Sequence, residues 1–189
     1  FYTELAKALD VDLDFFNISI LTVDGVQFEV YVNVLNAMEI PWVLRTDNDV
    51  SKITVQNVEK RNLAGINRCL SLADEEKLLH APVVTTSQSL VDDGTWQRIS
   101  NIINANHMYL SKIDLERDLA LELPEQILEF SGKNTLVEAV KYLAAKKAIR
   151  MREFLTAHKG QLQNIRQGEL AKPLLDCLNY VIIPEVQDE

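Results

Sequence analysis

Hydrophobic positions recur at helical spacing from the first residue. Phe1, Leu5, Ala8 and Leu9 share a face with no capping residue before them, which reads as the tail of a helix that starts upstream. Asn17–Val23 alternates and is rich in branched residues, so it predicts a strand that ends at Asp24-Gly25. In Phe28–Met38, residues Phe28, Tyr31, Val32, Leu35 and Met38 fall on one helical face. Ile40–Arg45 predicts a short apolar strand that stops at Thr46-Asp47-Asn48-Asp49. Strand, helix and strand at this spacing describe a right-handed crossover, and hence an α/β fold with a parallel sheet.

Further along, Asn62–Leu72 predicts a helix, and Asp74-Glu75-Glu76 looks like the acidic first turn of another. Ser87–Asn104 reads as a helix with a weak point at Gly94, and His107–Leu110 as a short strand. The remainder is helical, most clearly Thr135–Ala148 and Met151–His158, with Gly160, Gly168 and Pro173 as breaks. The pattern is an α/β half followed by a helical half.

Composition narrows the class. With 189 residues, 47% hydrophobic and 25% charged, the chain can bury a substantial core. Its apolar runs are far shorter than the ~18 residues of a membrane span, so no membrane partner is expected. Cys69 and Cys177 have no CxxC spacing, and His80, His107 and His158 are scattered. Free thiols, a cytoplasmic location and no zinc site are the expectation.

The net charge of −9 speaks against a nucleic-acid binder until its distribution is considered. Residues 1–140 hold 11 Lys/Arg against 22 Asp/Glu, whereas residues 141–172 hold eight against two. An acidic body beside a basic segment suits a cation site next to a surface that meets a polyanion; two solvated helical faces are the plainer explanation.

The strongest chemical signal is Asp47-x-Asp49, directly after an apolar strand. Sites in parallel sheets form outside the carboxyl ends of strands. Two carboxylates there can lean toward one hard cation, or one of them can cap the next helix. A second cluster, Ser111, Asp114, Glu116 and Asp118, follows the strand at His107–Leu110 in the same way. Asp114 could equally be an N-cap with acidic neighbours in its first turn. Two such clusters from neighbouring strand ends could assemble a pair of metal sites that clamp a phosphodiester. Lys146-Lys147 could neutralise charge on a cleaved phosphate, or face solvent.

The blocks Leu44–Val50, Leu63–Leu72, Tyr109–Leu119 and Val140–Lys147, taken in series, resemble the Toprim domain of the OLD-family ATP-dependent nucleases, and within that family its Gabija-type anti-phage members. The resemblance implies a Toprim-type parallel sheet flanked by helices, a nuclease core over 1–122 and a helical C-terminal region over 123–189. It implies that Asp47, Asp49, Asp114 and Glu116 hold two Mg2+ (or Mn2+) ions, with Asp114 and Lys147 catalytic. Ser111 and Asp118 would then support the ligands, and Lys141, Lys146, Arg150 and Arg152 would contact DNA. It also implies an ABC-type ATPase domain N-terminal to this region, a homo-oligomer and a helicase-like partner protein. The family's first strand ends in a Glu-Gly whose glutamate serves the metal site. No such pair follows an apolar strand here, so that strand is expected before Phe1.

Two other classes compete. A haloacid-dehalogenase-type phosphohydrolase also carries DxD after a strand, but it needs a late acidic pair after another strand, and Asp92-Asp93 falls in a predicted helix. A non-catalytic oligomerisation or partner-binding module would use the apolar helical half, Leu136–Tyr180.

Overall fold

The computed structural model describes residues 1–23 and 28–182, so the turn expected at Asp24-Gly25 lies outside the described residues. The fold is mixed α/β, with a short parallel sheet, helices against it and a helical C-terminal region. It divides into two compact units, Val43–Asp118 and Phe1–Trp42 with Leu119–Glu189.

In the unit Val43–Asp118, β1 (Leu44–Thr46) is followed by a hairpin of β2 (Ser51–Val55) and β3 (Val58–Asn62). Next come α3 (Ala64–Leu72), α4 (Ser87–Asp92), α5 (Thr95–Asn104) and β4 (Met108–Leu110). β1 and β4 pair in parallel, with Leu44 opposite Met108 and Thr46 opposite Leu110. Helices α3 and α5 pack on β4 and on each other. Ile66, Cys69, Leu70, Trp96, Ile99, Ile103 and Met108 are buried there. α6 (Leu115–Glu122) starts in this unit and continues into the other.

The second unit is helical: α1 (Tyr2–Ala8), α2 (Phe28–Ala37), α7 (Pro124–Ser131), α8 (Leu136–Ala145), α9 (Lys147–Ala157), a 3-10 helix (Lys159–Gln167) and α10 (Lys172–Ile182). α7, α8 and α9 pack together, and α1 lies on the 3-10 helix. Pro124 opens α7 where a missing N–H leaves no bond unmade, and Gly132 closes it at φ +62°. The Thr135 hydroxyl accepts from the Glu138 N–H and so caps α8. Cys69 and Cys177 are free thiols.

The structure corrects several expected elements. Ile18–Val23 is in no strand, and Leu21 is 63% exposed. Alternation alone does not make a strand without a ladder partner. Ile40 closes α2: Glu39 takes φ +56° and the Ile40 N–H bonds the Leu35 carbonyl, so the strand begins only at Leu44. Asp74-Glu75 does not open a helix but ends α3 in the same way. Asp74 sits at φ +57°, and the Glu75 N–H reaches back 2.8 Å to the Leu70 carbonyl, a Schellman closure. Asn62 ends β3, so α3 starts two residues later than expected. The hairpin turns on Gln56-Asn57, both at positive φ, as a two-residue type I′ turn requires. Gly94, at φ +79°, separates α4 from α5 completely. Gly160 lies within the 3-10 helix, and Pro173 sits in the first turn of α10, so neither is a break.

Candidate metal and phosphate site

Parallel pairing brings the chain out of β1 and β4 at the same end, and the acidic clusters follow directly. The Ser111 N–H donates to the Thr46 carbonyl at 2.9 Å, and the Asn48 N–H to the Ile113 carbonyl at 2.9 Å, which carries the pairing past the strands. The Ser111 hydroxyl then meets Asp47 Oδ1 at 3.3 Å. Trp96 holds the second loop from behind, its indole N–H shared between the carbonyls of Leu110 and Ser111.

Helix α3 supports the first loop. The Gly65 N–H donates to the Asp49 carbonyl at 3.1 Å. A β-carbon on Gly65 would lie 2.7 Å from the Asp49 nitrogen and 2.9 Å from the Asn48 α-carbon, and closer still to the Asp47 carbonyl. Arg68, one turn on, is nearly buried; its guanidinium bonds the Thr46 hydroxyl and lies 3.2 Å from Asp49 Oδ2.

Asp114 is the N-cap of α6: it accepts from the Arg117 N–H at 2.8 Å and pairs with the Arg117 guanidinium. Of the two roles open to it from sequence, the capping role is the one seen. Glu116 is buried in the first turn of the same helix. Asp118 is buried against Arg45 and also accepts from the Lys112 N–H at 3.2 Å. Burial, the largest influence, raises its carboxyl above the usual range; Arg45 and hydrogen bonds from Ser111 and Lys112 pull it back down, and Asp114 adds to the rise.

The remaining predicted residues belong to the helical unit. Lys141 is exposed on α8, Lys146 joins α8 to α9, and Lys147 and Arg152 are exposed on α9. Arg150 is engaged locally: it bonds the Tyr142 carbonyl and stacks 3.7 Å over that ring.

Sequence reasoning assigned no role to Arg45, Asn48, Gly65, Arg68 or Trp96. Gly65 and Arg68 did leave a signal, a glycine and the one charged residue inside the helical run Ala64–Leu72.

Residues 1–49 match the model for the Overcoming lysogenization defect protein-like, TOPRIM domain. The match ends at Asp49 and so includes both aspartates of the first loop. It supports a Toprim segment of OLD type, from a family of metal-dependent nucleotidyl-transfer and nuclease domains. No curated protein matches the chain. Among the described residues, no helix is long and apolar enough to cross a membrane.

Toprim domains use divalent metals such as Mg2+, and the donors here are all oxygens, as a hard cation requires. Among the described residues, however, no three His, Cys, Asp or Glu side chains gather into a cation site. The set expected for two ions, Asp47, Asp49, Asp114 and Glu116, is therefore not drawn together: Asp49 and Asp114 each lie on an arginine. The structure does bring Asp47 together with the Ser111 hydroxyl, two oxygen donors of the kind a hard cation takes.

Proposed function

We propose that this chain is the Toprim nuclease part of an OLD-type polypeptide and hydrolyses DNA phosphodiesters with Mg2+ or Mn2+. The observation that carries the reading is the meeting of Asp47 and Ser111 at the carboxyl ends of two parallel strands, in a segment whose first aspartates fall within the Toprim match.

Asp47 anchors the cation, and the Ser111 hydroxyl orients that carboxylate or a water beside it. A bound divalent cation would acidify a water and neutralise charge on the phosphate. By the resemblance, Asp49, Asp114 and Glu116 complete the metal ligands and Asp114 takes part in catalysis; Asp49 also pairs with Arg68, and Asp114 also caps α6. Lys147 is the lysine that neutralises charge on the cleaved phosphate. Lys141, Lys146 and Arg152 contact the DNA backbone.

The finer points rest on the resemblance alone. They are Gabija-type defence, control by an N-terminal ABC-type ATPase domain, a homo-oligomer, a helicase-like partner and the division into 1–122 and 123–189; a cytoplasmic location rests instead on the free-thiol reading of Cys69 and Cys177.

Plasmid nicking in Mg2+ or Mn2+, by the natural polypeptide that contains this sequence, tests the reading. Asp47→Ala and Lys147→Ala should each lower nicking by about 100-fold or more while the circular dichroism spectrum stays native. Undiminished nicking by either variant rejects that residue's role. Hydrolysis of p-nitrophenyl phosphate without nicking would instead make the chain a phosphohydrolase.

A further inference from the structure

The middle residue of Asp47-Asn48-Asp49 is the most deeply buried of the three. The Asp49 side chain is 53% exposed, whereas Asn48 is 1% exposed. Asn48 makes three hydrogen bonds to two separate pieces of chain. Its main-chain N–H donates to the Ile113 carbonyl at 2.9 Å and its Nδ2 to the Lys112 carbonyl at 3.0 Å. Its own carbonyl accepts from the Ser87 hydroxyl, at the start of α4, at 2.6 Å.

Two of these bonds end on the loop that begins with Ser111 and runs to Asp114, so the first acidic loop is tied to the second at the position between its two carboxylates. The side-chain chemistry is specific. The partner at Lys112 is a carbonyl, so position 48 must donate; aspartate cannot do so when ionised, and serine is too short to span the same gap. Asn48 Oδ1 is buried with no hydrogen-bond partner, so the amide is held by its donating end alone.

We infer that Asn48 is the positioning residue of the cation site. Its amide locks the Asp47 loop to the Ser111 loop, and that lock sets the contact between Asp47 and Ser111. What the site holds rests on the nuclease reading; the lock itself does not. Groups that orient metal ligands from behind alter metal affinity by about 10–100-fold when removed.

The test compares Asn48→Ala with Ile99→Val, a cavity in the buried face of α5 and outside the sequence of both loops. Mn2+ binding is read from the electron paramagnetic resonance of the free ion, and loop coupling from amide hydrogen exchange, both at a temperature where all variants are folded. Asn48→Ala should weaken Mn2+ binding by about tenfold or more. It should also speed exchange at Gly65 and Lys112 together, since these N–H groups report the two loops. Ile99→Val should lower the melting temperature and change neither readout. Wild-type Mn2+ affinity in Asn48→Ala, with faster exchange confined to one loop, overturns the inference. A wild-type chain that binds no Mn2+ at millimolar concentration overturns the nuclease reading instead, and coupled exchange in Asn48→Ala would then still establish the lock.

Discussion

Arg45 Nη2 lies 2.7 Å from Asp118 Oδ2, with the two side chains 12% and 6% exposed. The pair joins the middle of β1 to the first turn of α6, across 73 residues of sequence. Removing one member of such a pair strands the other charge in a poorly hydrated place. Asp118→Ala should therefore destabilise the chain by about 3–5 kcal/mol, whereas Arg45→Met combined with Asp118→Leu should recover most of that loss. Urea unfolding of the three proteins measures both, and a loss below about 1 kcal/mol in Asp118→Ala would show that the pair is effectively solvated.

Gly65 makes a second, purely steric prediction. Its α-carbon is covered by the backbone of residues 47–49, so a methyl group has only main-chain atoms to displace. Gly65→Ala should destabilise by about 1–3 kcal/mol and push the Asp47 loop away from α3. Nicking should fall with it even at temperatures where the protein is folded. A Gly65→Ala protein with wild-type stability would mean that the loop yields freely.

The thiols predict a loss of stability in alkali. Burial pushes the Cys69 thiol up to about 12, against an ordinary value of 9.0, with Arg68 pulling slightly the other way. Between those two values the folded state keeps a proton that the unfolded state gives up, so stability falls as pH rises. The slope is about 1.4 kcal/mol per pH unit for a single group. Cys69→Ala should lose less stability than wild type between pH 9 and pH 10, by about 1 kcal/mol in denaturant titrations. Parallel pH profiles for the two proteins would contradict the burial.

The basic residues of the helical unit should separate into two kinds. Lys141→Ala, Lys146→Ala and Arg152→Ala should each weaken DNA binding for all sequences and reduce the slope of log K against log salt by about 1. Arg150→Ala should lower the melting temperature instead, because its guanidinium is held by the Tyr142 ring and carbonyl. A full unit of slope lost in Arg150→Ala would return it to the DNA contacts.

What could be read from the sequence follows physical range. Helices α1, α2, α8 and the α4–α5 stretch are local patterns, and so is the placing of Asp47 and Ser111 directly after apolar strands. Helix ends were harder because three of them close on Asp10, Glu39 and Asp74, which take positive φ where glycine is the usual signal. The hairpin was hidden for the same reason, since Gln56-Asn57 supplies the left-handed turn without a glycine. The roles of Gly65, Arg68 and Asn48 depend on which loop folds against which helix, and Arg45 needs its partner in α6; a periodic pattern carries no such information. Asp114 shows the reverse case, in which a local capping pattern was visible and the structure uses it.

Besides the Asn48 amide, the loop carrying Asp47 and Asp49 is held by three main-chain bonds: Ser111 N–H to Thr46, Asn48 N–H to Ile113 and Gly65 N–H to Asp49. None of these uses either aspartate's carboxylate. Replacing either acid leaves these three bonds in place, so Asp47→Ala and Asp49→Ala should lose the carboxylates while the loop keeps its main-chain path, which unchanged amide exchange at Gly65 would show.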